Sequence, residues 1–312
     1  MIGIPGAILC SGNLVQDTVA APIENIPFGG TQWIDRLDRH LGGNGANSSY
    51  AIGILGGRVR ILGWVGSDAF GAECRRMLES VNVDIGFLKT GVEATAASVV
   101  LVKADGSRAL LHRPGVSLEA FADFDGFDTS TLEGCSHYHL ANPFALPNFR
   151  SKSVVALQSA RQHGLTTSLD TAWDSKGEWM RVLEPCLPSI DLLFANEDEI
   201  RMLTGHSDPA QAVRTFRDRG ASDVVVKLGG RGCIVFEADN DPLPVSAIPT
   251  NAVDTTGAGD SFVGGFLAGL QKGFRPERAA LLANAAGSLS VSSFGSVTGL
   301  LTFEETLELI PC

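Results

Sequence analysis

The chain has 312 residues, 44% hydrophobic and 19% charged, the balance of a globular domain rather than a disordered or fibrous protein. Its 35 acidic and 24 basic side chains leave a formal net charge of −11, a field that repels nucleic acid and anionic membrane, so neither is expected as a partner. No apolar run reaches the roughly 18 residues of a spanning helix. The opening MIGIPGAILCSGN lacks the basic flank of a signal peptide. Six scattered cysteines (Cys10, Cys74, Cys135, Cys186, Cys233, Cys312), with no CxxC pair, read as reduced thiols of a cytoplasmic protein.

In chain order, GAILCSG predicts a strand, GANSSYAIGILGG a helix closed by glycine, VRILGWVG a strand and AFGAECRRMLESVN a helix. From about residue 135 the alternation is regular. HYHLA, TTSLD, IDLLFAN and DVVVKLG read as strands; FRSKSVVALQSARQHG, EDEIRMLTG and AQAVRTFRDRG read as helices. Apolar runs such as Val224–Val226, each followed by a Gly or Asn turn, are the pattern of a parallel sheet covered on both faces. His137 and His139 fall on one face of a strand and read as core or active-site wall rather than as a metal pair. Two segments break the alternation. Residues 14 to about 40 have little helical periodicity, and 95–113 read as two strands around an Asp105-Gly106 turn. They predict a small separate sheet that lies over a ligand as a lid; the competing reading is an edge hairpin of the main sheet.

The stretch Asp254–Phe262, DTTGAGDSF, carries the chemistry. Behind it, Phe262, Val263, Phe266, Leu267 and Leu270 form a helical stripe that Gly273 closes. Gly264, Gly265 and Gly269 lie inside that helix at about 1 kcal/mol each, which predicts close packing against a neighbour. Gly257, Ala258 and Gly259 present bare backbone N–H groups at the helix start, an anion site suited to phosphate. Asp260 beside them reads either as a helix-capping carboxylate or as a base. A carboxylate repels a resting phosphate, but is useful if it removes the proton of a hydroxyl attacking phosphorus. Neither a G-x-x-x-x-G-K-[ST] loop nor G-x-G-x-x-G occurs.

DTTGAGDSFVGGFLAGL resembles the C-terminal signature of the ribokinase-like (PfkB-type) carbohydrate kinases. In order along the chain, SGNLVQD resembles that family's first strand with a sugar-binding aspartate. LGGNGANSSYAIGILGG is similar to its Gly-Gly signature, NEDE to its Asn-x-x-Glu motif, KLGGRG to its nucleotide loop, and NAAGSLSVSSFGSVTGL to its adenine and cation segment. The resemblance runs from about residue 7 to 309. It implies one α/β domain over 1–312, a three-layer ribokinase-like fold with a mainly parallel central sheet, helices on both faces and a small β-sheet lid at about 14–40 and 95–113. It implies an ATP-dependent sugar kinase.

The resemblance further implies Asp260 as general base and Gly257, Ala258 and Gly259 as the anion hole. Asn196 and Glu199 would organise Mg²⁺ and the phosphates of ATP, although Glu199 also reads as a helix N-terminal carboxylate. Lys227, Gly229 and Gly232 would line the nucleotide. The family often has Thr where Lys227 stands, and Lys227 reads equally as a strand-end lysine facing solvent. Asn284 would approach the adenine. Asp17 would accept from two hydroxyls of the acceptor, with Gly43, Asn44, Asn47 and Asn142 lining it. Asn142 stands where ribokinases carry glutamate and Asn44 where they carry lysine, which speaks against ribose and against a phosphosugar and leaves a neutral sugar, a sugar acid or a nucleoside open. Arg113 or His112 could meet a carboxylate, and Trp33 a base. K⁺, held in some members, would use Asp254 and Thr256 with carbonyls near Ser290, Ser293, Gly295 and Gly299. Exposed apolar lid positions, Val99, Leu101 and Leu110, predict a homodimer through the lids. The alternatives are a nucleoside kinase of the same fold and a non-catalytic sugar-binding or regulatory protein; Asp260, the anion hole and Asn196/Glu199 together speak against the latter.

Overall fold

The computed structural model describes residues 1–26, 28–104 and 107–310. The Asp105-Gly106 turn and Cys312 lie outside the described residues. In chain order the strands are β1 (Ala7–Gly12), β2 (Val15–Ala21), β3 (Arg36–Gly42), β4 (Val59–Val65), β5 (Leu88–Thr90), β6 (Ala96–Val102), β7 (Arg108–Arg113), β8 (Cys135–Ala141), β9 (Thr166–Asp170), β10 (Leu192–Asn196), β11 (Asp223–Lys227), β12 (Cys233–Phe236) and β13 (Leu243–Val245). They form two sheets, one of nine strands and one of four.

The large sheet runs β13-β12-β11-β10-β9-β8-β1-β4-β5. It is parallel from β11 to β5, and β12 and β13 are antiparallel additions at one edge. Its apolar runs hide a period of two. Ile8, Cys10, Phe194 and Val225 pack on one face with Phe262, Phe266 and Ala283. Leu9, Leu193, Val224 and Val226 pack on the other with Phe149, Leu157 and Phe216. His137 and His139 lie in this sheet without exposure. Both ring systems bond the Ser168 hydroxyl, and His137 also bonds Thr166. Burial pushes His137 down to about 3, so it is a neutral core group. No cluster of three or more metal-ligating side chains occurs among the described residues.

The small sheet, β3-β2-β6-β7, is the expected lid, separate from the main sheet rather than its edge. Register assigns its faces, because paired residues point the same way. Asp17 pairs with His40 and Ser98, Ser98 pairs with His112, and Val102 pairs with Ala109's neighbour Arg108. Val19, Ala21, Val100 and Val102 share that face and pack against Phe294, so it is the inner one. Val99 and Leu101 are on the outer face with Leu37 and Leu111. Leu110 pairs with Val100 and belongs to the inner face, yet it is exposed as expected, as is Val99 on the outer face; Leu101 is only half-exposed.

Candidate active site

The C-terminal ends of adjacent parallel strands are where α/β sheets gather their ligands. Here they bring together Asn142 just past β8, Asp170 ending β9, Asn196 ending β10 and Lys227 ending β11. Over them lies the N-terminus of the helix Ala258–Gln271. Its glycines set its position. A Cβ on Gly264 would lie 2.5 Å from the Ala51 Cβ, one on Gly265 2.9 Å from the Ala283 Cα, and one on Gly269 2.9 Å from the Ala279 Cα. The expected close packing is therefore real, against two helices, Asn44–Ile54 and Pro276–Val291.

Gly257 begins the helix at φ 74°, so Asp260 is its third residue. The Asp260 carboxylate makes no bond to its own helix. It accepts from Asn44 Nδ2 at 2.7 Å and Asn47 Nδ2 at 2.8 Å and is 6% exposed. Asp260 is thus not the N-cap, although as a first-turn carboxylate it still sits at the favourable end of the helix dipole. Burial pushes its carboxyl up, with Asn47, Asn44 and Lys227 opposing. Asn44 Oδ1 accepts in turn from Asn142 Nδ2 at 2.9 Å, and Asn47 Oδ1 lies 2.8 Å from the Ser296 hydroxyl, itself 2.6 Å from the Leu41 carbonyl. Gly43, at φ 89°, makes the turn that delivers Asn44 and Asn47; a Cβ there would strike the Asn13 carbonyl at 2.5 Å.

Asp17 reaches the site from the lid. Desolvation pushes its carboxyl up to about 6, and Asp254 and Asp260 add to this while Ser98 and Arg108 oppose it. The neighbouring Gly42 admits it, since a side chain on Gly42 would collide with the Asp17 carboxylate. His112 Nδ1 is 3.1 Å from Ser98 Oγ, one bond behind Asp17. Arg113 instead donates to the Thr95 carbonyl. Trp33 is exposed on the β2–β3 connection.

On the opposite side is a cleft of about 390 Å³ lined by Gly229, Gly230, Gly232, Gly259 and Gly287 together with Ile248, Phe262 and Asn284. Asn284 donates to the Val245 and Ser246 carbonyls at 3.2 and 3.0 Å, fixing the loop over the cleft. Lys227 also lines it and is 9% exposed, which overturns the solvent-facing reading. Its ammonium pairs with Asp170 at 2.5 Å. Burial works against that charge, but Asp170 and Glu199 outweigh it and hold its pKa above the ordinary lysine value. Asn196 and Glu199 form a capping box. The Glu199 carboxylate accepts from the Asn196 backbone, the Asn196 amide and Thr171 Oγ1, each at 2.8 Å. Neither lines the cleft; Glu199 reaches it through its charge on Lys227. With no protein cage, a divalent ion beside them would be held mainly by phosphate oxygens and water, the usual habit of Mg²⁺.

Asp254 accepts from Thr256 N at 2.9 Å, Thr256 Oγ1 at 2.6 Å and Gly295 N at 3.0 Å. Ser290 Oγ bonds the Ser296 carbonyl at 2.8 Å, a Cβ on Gly299 would meet the Leu289 carbonyl, and Ser293 is half-buried in the same loop. Of the five expected cation-site neighbours of Asp254, Thr256 and Gly295 bond its carboxylate, while the contacts of Ser290 and Gly299 are to Ser296 and Leu289. Sequence reading missed another neighbour. Arg108 of β7 donates to Thr256 Oγ1 and stands 3.8 Å from the Asp254 carboxylate. It also missed Asp170, Ser296 and Gly42.

The family model for pfkB family carbohydrate kinases matches residues 7–302. The chain belongs to that family. This kinase is 28% identical over 290 residues to a 2-dehydro-3-deoxygluconokinase of Thermoproteus tenax, covering 90% of this chain and 89% of the relative. Its fold matches Arabidopsis thaliana ribokinase complexed with ribose and ATP at a TM-score of 0.83 and 26% identity, with 99% of each chain covered. It also matches an E. coli protein described as a ribokinase II, solved with ATP and Mg²⁺, at a TM-score of 0.85 and 25% identity, with 97% of this chain and 98% of that one covered.

Proposed function

We propose that this kinase transfers the γ-phosphoryl group of ATP to a hydroxyl of a small sugar or sugar acid, with Asp260 as the general base. The observation that carries this reading is the Asp260 carboxylate, buried between two asparagine amides and immediately following the bare backbone of Gly257–Gly259. A carboxylate so placed can take a hydroxyl proton, while backbone N–H groups stabilise charge developing on the phosphoryl oxygens. Asp17 accepts from the acceptor's hydroxyls and so aims one of them at Asp260. Asn44 and Asn47 hold the base in position, and Asn142 holds Asn44. Gly229, Gly232 and Asn284 shape the nucleotide cleft. Mg²⁺, when bound, offsets phosphate charge, and Asn196 and Glu199 orient the water around it.

Two features favour a sugar or sugar acid as the acceptor. Asp17 suits a vicinal diol, and the lid's inner face carries Arg108, beside Asp254, with His112, whose pKa burial lowers, on the same face. A panel of sugars, sugar acids and nucleosides, read by ADP release, tests the proposal. Turnover with a member of the first two groups is expected; turnover with nucleosides alone, or with none, would overturn it. We further infer a homodimer through the outer lid faces, where Leu37 and Leu111 are 65% and 63% exposed.

A further inference from the structure

We propose that the Lys227 ammonium, aimed by Asp170, is the side-chain contact this protein makes to the γ-phosphoryl group. The inference rests on the kinase reading above and specifies how the nucleotide side of that site works.

Lys227 is the only charged side chain among the described residues that line the cleft; its neighbours there are mostly glycines and apolar groups. Its position within the cleft is defined by Gly259. A Cβ on that glycine would lie 3.3 Å from the Lys227 Nζ, so the ammonium sits against the backbone of the anion hole. Among the described residues its one hydrogen-bond partner is Asp170. An ammonium has three N–H donors, which leaves two for a ligand on a side chain that is nine-tenths buried. Asp170 fixes the third and keeps the group protonated.

The surroundings argue for a ligand rather than for stability. Asp170, Glu199 and Asp260 all act on Lys227 as negative charges. Burial pushes the Asp170 carboxyl up to about 7 and raises the Asp260 carboxyl too, so the cluster resists holding three negative charges around one ammonium, and a buried Lys–Asp pair is weak evidence of a stabilising device in any case. The negative charge that remains would repel a polyphosphate from the turn where the transfer must occur. A fixed cation over Gly259 reverses the local field at that turn. Lys227 is thereby a catalytic residue, and Asp170 a positioning residue that acts through it.

The test compares the native protein with Lys227→Met, Asp170→Asn and the double variant Asp170→Asn/Lys227→Met. Calorimetric titration with Mg²⁺-ADP and with the Mg²⁺ complex of a β,γ-imido ATP analogue reads binding without turnover. A charged hydrogen bond to the terminal group predicts that Lys227→Met loses about 10–100-fold in analogue affinity and much less in ADP affinity. Its kcat should fall about 10²–10³-fold. Asp170→Asn should shift the analogue-to-ADP ratio in the same direction by less, and should move the basic limb of the kcat profile to lower pH. The double variant, relieved of both buried charges, should fold at least as well as Lys227→Met yet stay slow. Equal losses for ADP and analogue, or recovery of native kcat in the double variant, would show that Lys227 only neutralises Asp170 and would overturn the contact alone. A native protein that neither binds the analogue nor transfers phosphate would overturn the kinase reading with it.

Discussion

The two sheets divide the chemistry between them. In the large sheet, Leu192 to Ala195 of β10 and Val224 to Val226 of β11 are fully buried. In the lid, β7 is exposed along its whole length. One sheet is held by packing on both faces; the other is anchored on one face, through Phe294, the Ser296–Leu41 bond and the Arg108–Thr256 bond. In the proposed mechanism the first carries the parts that act on phosphate, and the second contributes Asp17 to the acceptor side. Changes in the core should therefore appear in kcat, and changes in the lid in acceptor binding.

Asp260→Asn is the sharpest way to break this division. It keeps size but removes the base and turns one of the two accepting oxygens into a donor facing Asn44 or Asn47, so kcat should fall at least about 10²–10⁴-fold, with acceptor and nucleotide affinities changing less. Near-full activity in a folded variant would remove the mechanism. Asp17→Asn should do the reverse, lowering kcat/KM for the acceptor about 10–100-fold while the KM for ATP holds; an equal rise in both KM values would place Asp17 outside the acceptor pocket. Asp17 also sets a pH signature. Its carboxyl titrates at about 6 in the folded protein against an ordinary 3.8. Between these values the folded state holds more protons than the unfolded one, so stability should fall as pH rises through about 6. Acceptor binding, which uses the ionised form, should rise over the same interval. Thermal unfolding and kcat/KM measured from pH 4 to 8 should both lose this inflection in Asp17→Asn.

Smaller effects test the outer and inner lid faces. Leu111→Asp should convert a dimer to a monomer by light scattering at micromolar concentration; a native monomer would end the dimer proposal. Replacing K⁺ by Na⁺ should lower kcat only modestly in the native chain, because Arg108 already sets positive charge beside Asp254. Arg108→Gln should widen that ratio. Equal rates in K⁺, Na⁺ and a bulky organic cation for both proteins would leave Asp254 as a clasp for the Thr256 turn.

What was legible in the sequence was what is local. The strands β8 to β11 follow from their own periodicity, and the Asp254–Phe262 stretch announces an anion site without reference to its surroundings. The lid was legible as strands, but Leu110 could not be assigned to the inner face without the register of β6 against β7. The missing site residues depend on partners far along the chain. Lys227 meets Asp170 57 residues away, Arg108 meets Thr256 148 away, and Ser296 meets Leu41 255 away. No spacing rule spans such separations; only the folded sheet brings those strand ends and loops together.

The glycines of the helix Ala258–Gln271 have a consequence beyond packing. Gly264, Gly265 and Gly269 let that helix rest almost backbone to backbone on two others. Side chains can repack around a disturbance, but main chain in direct contact has no slack to absorb one. The turn at Gly257–Asp260 is thus referenced to the scaffold rather than to the lid, and the spacing between its backbone and the Asp260 carboxylate is set by main-chain contact. A methyl group added at Gly265, a full turn beyond Asp260 and on a surface no substrate touches, would be transmitted to the chemistry as a displacement. Sites of that kind are silent in any list of ligand contacts, yet they hold the tolerances on which the reaction depends.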